Sequence, residues 1–123
     1  MTFPINYKNS AMSKTYFITG GAGFIANTII SRLIKDGHKI VVYDSFYRDT
    51  LTRSELNGHP NITVIKGDVL DADLLTKSMK GTDAVIHAAG IAGIDTVIKA
   101  PVETMRVNMI GTANVLEASR VNN

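Results

Sequence analysis

Three glycines within four residues, in the run Thr19-Gly20-Gly21-Ala22-Gly23-Phe24-Ile25-Ala26, restrict the fold of this chain more than any other feature. They separate two stretches of different periodicity. Thr15 to Thr19 is a β-branched and aromatic run that reads as a strand, whereas Ile25, Ile29 and Leu33, with Ile30 and Ile34 beside them, recur at helical spacing. The spacing predicts a helix from Gly23 to Asp36, stopped by Gly37. A strand that turns sharply into a helix is the first half of a crossover unit, and crossover units build parallel sheets.

The rest of the chain repeats the alternation. Further strands are predicted at Lys39 to Asp44, Ile62 to Lys66 and Ala84 to His87, each nearly continuous in apolar character, as in strands covered by helices on both faces. A short helix is expected over Asp49 to Leu56, and another over Asp71 to Met79 with Asp71 as N-cap and Gly81 as terminator. The last helix should start at Pro101, where a missing N–H costs nothing, and run to Arg120. It carries two apolar stripes: Val102, Met105, Met109, Ala113 and Leu116 on one side, and Val107, Gly111, Val115 and Ala118 on the other. Such a helix needs two partners, and one sheet supplies one of them. The small residues Gly111 and Ala118 suit the sheet, which leaves the Met105 side for a further helix of the same protein or of a second subunit.

Placed between a strand and a helix, the glycine run has a chemical reading. A dinucleotide pyrophosphate is held by backbone N–H groups at a helix N-terminus, where the dipole favours negative charge and side chains would obstruct it. Gly20 permits the tight turn and Gly23 the close approach, and Ala26 is small enough for close helix packing. Asp44 ends the second strand 21 residues after Gly23, near the ~20-residue offset at which an acid binds the adenosine ribose hydroxyls. This pairing favours NAD, while Arg48 and Arg53 are near enough in sequence to keep NADP open. No Gly-Lys-Ser/Thr follows the glycines, so a triphosphate-binding P-loop is excluded.

Composition narrows the remaining classes. The 123 residues are 45% hydrophobic and 20% charged, as in an ordinary globular domain. The 13 basic residues are scattered and exceed the 11 acidic ones by only two, which argues against a nucleic-acid partner. With no cysteine there is no disulfide, thiolate metal site or thiol nucleophile, and the three histidines lack metal spacing. Met1 to Ser13 is expected to be a flexible leader, since it has no apolar run suited to a signal peptide or membrane span. A cytoplasmic location is expected.

On five segments the chain resembles the extended short-chain dehydrogenase/reductases, the NAD-dependent epimerase/dehydratase family. These are residues 19–25, Asp44, Gly67-Asp68-Val69, His87-Ala88-Ala89-Gly90, and Val107-Asn108-Met109-Ile110-Gly111-Thr112-Ala113-Asn114. The resemblance spans Lys14 to Arg120. It implies a Rossmann-type, doubly wound parallel α/β sheet of which these residues supply the first four strands, with 14–123 as the N-terminal part of an NAD-binding domain. It further implies that Gly20, Gly23, Phe24 and Ile25 lie along the pyrophosphate and that Asp44 and Ser45 hold the adenosine ribose. Asp68 and Val69 would flank adenine, Ala88, Ala89 and Gly90 would line the nicotinamide-side ribose, and Asn108 would lie near that ribose. Structural readings stand beside these: Asp68 as a turn cap, Asn108 as a helix-surface amide, and His87 as a strand-end residue with no acid–base role.

Members of that family use a tyrosine with a lysine four residues later for proton transfer. Here Tyr7, Tyr16, Tyr43 and Tyr47 are followed at that offset by Ala11, Gly20, Tyr47 and Leu51. No catalytic residue is therefore assigned within the segment, and the catalytic and nucleotide-sugar-binding part is expected beyond Asn123. The resemblance implies a nucleotide-sugar epimerase, dehydratase or decarboxylase that dimerises through the last helix. The alternative is a dinucleotide-holding sensor or scaffold without catalysis.

Overall fold

A computed structural model describes residues 12–123; residues 1–11, most of the expected leader, lie outside the described residues. Four strands, β1 (Thr15–Thr19), β2 (Lys39–Asp44), β3 (Ile62–Lys66) and β4 (Ala84–His87), form one sheet in the order β3-β2-β1-β4. Every pairing is parallel. The chain therefore steps outward from β1 to β2 and β3, then returns past β1 to add β4 on the other side. All four carboxyl ends lie along one edge, and the change of direction falls between β1 and β4.

Helix α1 (Phe24–Lys35) has Gly23 as N-cap, and the turn after it closes through Gly37 N–H to Ile34 O and His38 N–H to Leu33 O. Helix α2 (Ala72–Met79) is capped as expected, the Asp71 carboxylate accepting from Leu74 N–H. A six-residue helix that the sequence reading leaves unassigned, α3 (Ile94–Lys99), precedes the last helical segment. That segment is α4 (Pro101–Met105), a π-helical turn (Arg106–Ile110) and α5 (Gly111–Asn122). The expected single helix is thus interrupted at its middle. Its stripes separate all the same: Gly111, Val115 and Ala118 are buried, whereas Val102, Met105, Met109 and Leu116 stay exposed.

Two cores lie on opposite faces of the sheet, because neighbouring residues of a strand point to opposite sides. Ile18, Ile40 and Val42 pack with Ala22, Ala26 and Ile30 around α1, and Leu51 and Leu56 complete that layer. Phe17 and Tyr43 point the other way, against Val69, Leu75, Met79, Val115 and Ala118 under α2 and α5. Burying each large side chain contributes roughly 1.5–3 kcal/mol. The three ion pairs among the described residues, Arg32–Asp36, Arg106–Glu103 and Arg120–Glu117, are short-range and exposed, and add little by comparison.

Two further expectations need correction. Asp49 to Leu56 forms successive turns, not a helix. The Asp49 carboxylate binds both the hydroxyl and the N–H of Thr52, which holds its carboxyl below the usual range, and Ser54, Asn57 and His59 each donate to the carbonyl three residues back. Side-chain bonds of this kind compete with helical ones. Strand β3 is not covered on both faces either: Thr63 and Val64 are exposed. It is one of the two edge strands, and the 45–61 connection leading into it is turns, bends and irregular chain, with no crossover helix to cover it.

The most constrained contact in the second core is between Tyr43 and Gly67. The Tyr43 ring is fully buried, its hydroxyl donates to Asp68 O at 2.9 Å, and a Cβ on Gly67 would come within 2.3 Å of the ring. Burial, with Asp71 and Asp68 adding repulsion, pushes the phenol up to about 12. We expect Gly67→Ala to destabilise the chain by about 1–3 kcal/mol in urea titration, because the ring that must shift is fully buried and its hydroxyl is held by Asp68 O. An unchanged midpoint and slope would contradict this packing.

Candidate functional site

The shared carboxyl edge of the sheet gathers the residues singled out from sequence. After β1, Gly20 takes a left-handed conformation, φ 66°, and its N–H donates to Tyr43 O at 2.9 Å. A Cβ at Gly20 would stand 2.6 Å from Ala89 N and 2.7 Å from Ala88 C. Glycine is thus required twice, for its conformation and for the backbone of the β4 end that passes against it. Gly23 N–H donates to Gly20 O and Asn27 N–H to Gly23 O, so the turn closes on itself and opens directly into α1. No side chain caps that helix, and Phe24 and Ile25 in its first turn are exposed. Its first N–H groups are left free for an anion.

Asp44 binds this turn to the end of β2. One carboxylate oxygen accepts from Ala22 N–H at 2.9 Å and the other from Phe46 N–H at 2.7 Å. Each oxygen keeps a second lone pair. The following turn is strained at Phe46, which has φ 61°, and is secured by that bond and by the ring's contact with the α1 core. Ser45 is exposed beside it. Thr50 reaches the same turn from beyond, its N–H and hydroxyl both donating to Ala22 O. Arg53 instead lines a groove on the flank of α1 with Asn27, Ser31 and Lys35.

After β3, Asp68 is exposed and caps its own turn through Leu70 N–H at 2.9 Å. The Val69 side chain is buried, packed so closely on α5 that a Cβ on Gly111 would meet it at 2.6 Å. Its carbonyl is also engaged, Val69 O accepting from Asn114 Nδ2. After β4, Ala88 and Gly90 are exposed and Ala89 is half-buried. Asn108, within the π-helical turn, pairs its amide with both backbone groups of Ile91, at 2.8 and 2.9 Å. A Cβ at Gly90 would lie 3.2 Å from Asn108 Oδ1.

His87 is half-buried between two threonines, Nδ1 at 2.6 Å from Thr19 Oγ1 and Nε2 at 3.0 Å from Thr112 Oγ1. Burial pushes its pKa down, so the ring is neutral at pH 7. Thr19 and Thr112 lie within the motif segments but are given no role by the sequence, and Thr50 lies outside them, since a threonine in a strand, loop or helix carries no pattern that marks its partner. Among the described residues no group of three His, Asp or Glu gathers as a metal site, and no helix is long and apolar enough to cross a membrane.

The uncapped helix N-terminus, the Gly20 cradle and the acid ending β2 together fit a dinucleotide, with no side chain obstructing the turn. Known proteins agree with this architecture. The chain is 36% identical over 109 residues to UDP-N-acetyl-alpha-D-glucosaminuronate decarboxylase of Bacillus cytotoxicus, covering 88% of this chain and 33% of that protein. It is 34% identical over 119 residues to UDP-glucose 4-epimerase of Rickettsia bellii, covering 90% and 34%. In structure it is similar to UDP-glucose 4-epimerase from Brucella ovis in complex with NAD, with a TM-score of 0.76 and 28% identity over 89% of this chain and 33% of that one. The chain thus spans about a third of the length of these relatives. The model of the NAD dependent epimerase/dehydratase family matches residues 16–123. With motif order, sheet order and family model in agreement, the chain belongs to the NAD-dependent epimerase/dehydratase family.

Proposed function

We propose that residues 14–123 are the NAD-holding part of a nucleotide-sugar epimerase- or dehydratase-type oxidoreductase, in which bound NAD oxidises a sugar hydroxyl transiently. The observation that carries this reading is the cradle at the carboxyl edge: a glycine against the β4 backbone, an uncapped helix start, and Asp44 with a free lone pair on each oxygen. In this reading Gly20, Gly23, Phe24 and Ile25 hold the pyrophosphate through backbone N–H groups, and Asp44 and Ser45 take the adenosine ribose. Asp68 and the Val69 main chain flank adenine. Ala88, Ala89 and Gly90 receive the nicotinamide-side ribose, with Asn108 behind them. The relatives' printed activities support a nucleotide-sugar substrate, bound by the remaining two thirds of a full-length protein. A cytoplasmic location accords with a soluble cofactor and substrate.

The same reading assigns the 123 residues no turnover of their own, because no tyrosine among them has a lysine four residues on. Titration with both cofactors, together with a nucleotide-sugar assay of the 123-residue chain and the full-length protein, tests it. We expect NAD to bind at least about tenfold tighter than NADP, since a 2′-phosphate would face the Asp44 carboxylate. Turnover should appear in the full-length protein alone. Equal or tighter NADP binding would overturn the cofactor assignment, and turnover by the 123 residues would overturn the missing-pair argument.

We further propose that the full-length protein is a homodimer joined through the exposed stripe that runs from α4 through the π-helical turn into α5. Leaving Met105, Met109 and Leu116 in water forgoes several kcal/mol at about 25 cal/mol per Å². Met105→Lys with Met109→Lys in the full-length protein should therefore yield a monomer by solution mass measurement. A dimer unaffected by both lysines would exclude this face.

A further inference from the structure

Thr19 and His87 are the last residues of β1 and β4 and stand opposite each other in register. Their side chains begin a chain of hydrogen bonds whose direction is determined by counting protons. Thr112 donates its hydroxyl proton to Asn108 O at 2.6 Å, because a carbonyl only accepts. Its oxygen therefore accepts from His87 Nε2–H at 3.0 Å. A neutral imidazole with a proton on Nε2 has a bare Nδ1, which accepts from the Thr19 hydroxyl. The Thr19 oxygen is then left to accept from Ala89 N–H at 3.3 Å. At the other end, the residue whose carbonyl Thr112 binds, Asn108, fixes both backbone groups of Ile91. Ala89 and Ile91, on either side of Gly90, are tied to opposite ends of one chain.

We propose that His87 is a positioning residue: as the neutral Nε2–H tautomer it joins β1 to α5 and so holds the Ala88-Ala89-Gly90 strand end against the Gly20 turn. The consequence for binding rests on the cofactor reading above, since that strand end is where the nicotinamide-side ribose would lie. The positioning itself does not. His87 exchanges no proton with a substrate in this arrangement, because both ring nitrogens are committed to threonines.

The test reads the ligand-free chain first. Nitrogen NMR of the imidazole should show Nε2 protonated and Nδ1 bare, and an Nδ1–H tautomer would overturn the proposal. Hydrogen exchange at the Ala89 amide follows in Thr112→Val and Thr112→Ser. Thr112 reaches the Ala89 amide through His87 and Thr19, and its other route, through Asn108, ends on the Ile91 backbone. A loss carried through Asn108 would therefore speed exchange at Ile91, and a local structural role would leave the Ala89 amide unchanged. We expect Thr112→Val to speed its exchange about tenfold, the effect of losing one hydrogen bond in the chain, and Thr112→Ser to restore it. Exchange at Ala89 indifferent to Thr112→Val would overturn the proposal. Should Thr112→Val disturb the fold, the wild-type tautomer still decides. A subsequent NAD titration separates the two readings: wild-type protein that shows the tautomer and the coupling yet binds no NAD sinks the cofactor reading alone.

Discussion

The structure depends on the close approach of two strand ends. β1 and β4 are neighbours only because the chain reverses its direction across the sheet, and at their carboxyl ends the backbone of Gly20 runs against that of Ala88 and Ala89 with no room for a Cβ. That approach brings the first turn of α1 to the mouth of the crevice. It also requires both ends to be held, and they are held from separate directions. Asp44 and Thr50 secure the glycine turn from the β2 side, and the β4 end is secured by Thr19 of β1, by His87 with Thr112 of α5, and by Asn108 of the π-helical turn.

Such fastening explains why so many polar side chains at this edge bond the backbone and not one another. A turn that must expose N–H groups to a ligand cannot satisfy them internally. Its shape has to come from the carbonyls and from the few N–H groups facing inward, such as those of Ala22 and Gly20. The strained Phe46 turn fits the same logic, since a left-handed residue persists only where its surroundings over-determine it.

How much of this was legible in the sequence followed the range of each interaction. The strands, α1 and the Asp71 cap are set by local periodicity and capping chemistry, and they emerge with nearly the expected bounds. The inner stripe of the last helix was readable too, because small residues at Gly111 and Ala118 imply close packing. The pattern over Asp49 to Leu56 reads as helix, because it does not reveal that the Asp49 carboxylate binds Thr52 in place of helical bonding. The exposure of β3 depends on its place at the sheet's edge, and the π-helical turn coincides with an amide bonded 17 residues away. The Thr19–His87–Thr112 chain joins residues 68 and 25 positions apart. No local pattern encodes a partner at that distance, whereas the glycine run from Gly20 to Gly23 is contiguous and its chemistry can be read locally.

In the proposed reading, the carboxyl edge of this sheet holds a dinucleotide as one pre-formed surface. Mapping backbone amide shifts of the chain during addition of NAD tests it most directly. The predicted result is perturbation of Gly20, Gly23, Phe24, Ile25, Ser45, Asp68, Ala89 and Gly90, with Lys14, Lys39, Ile62 and Asp83 at the opposite edge unmoved. Saturable binding that shifts the amides of the α1 flank or of α5, and leaves the Gly20 turn unchanged, would contradict it.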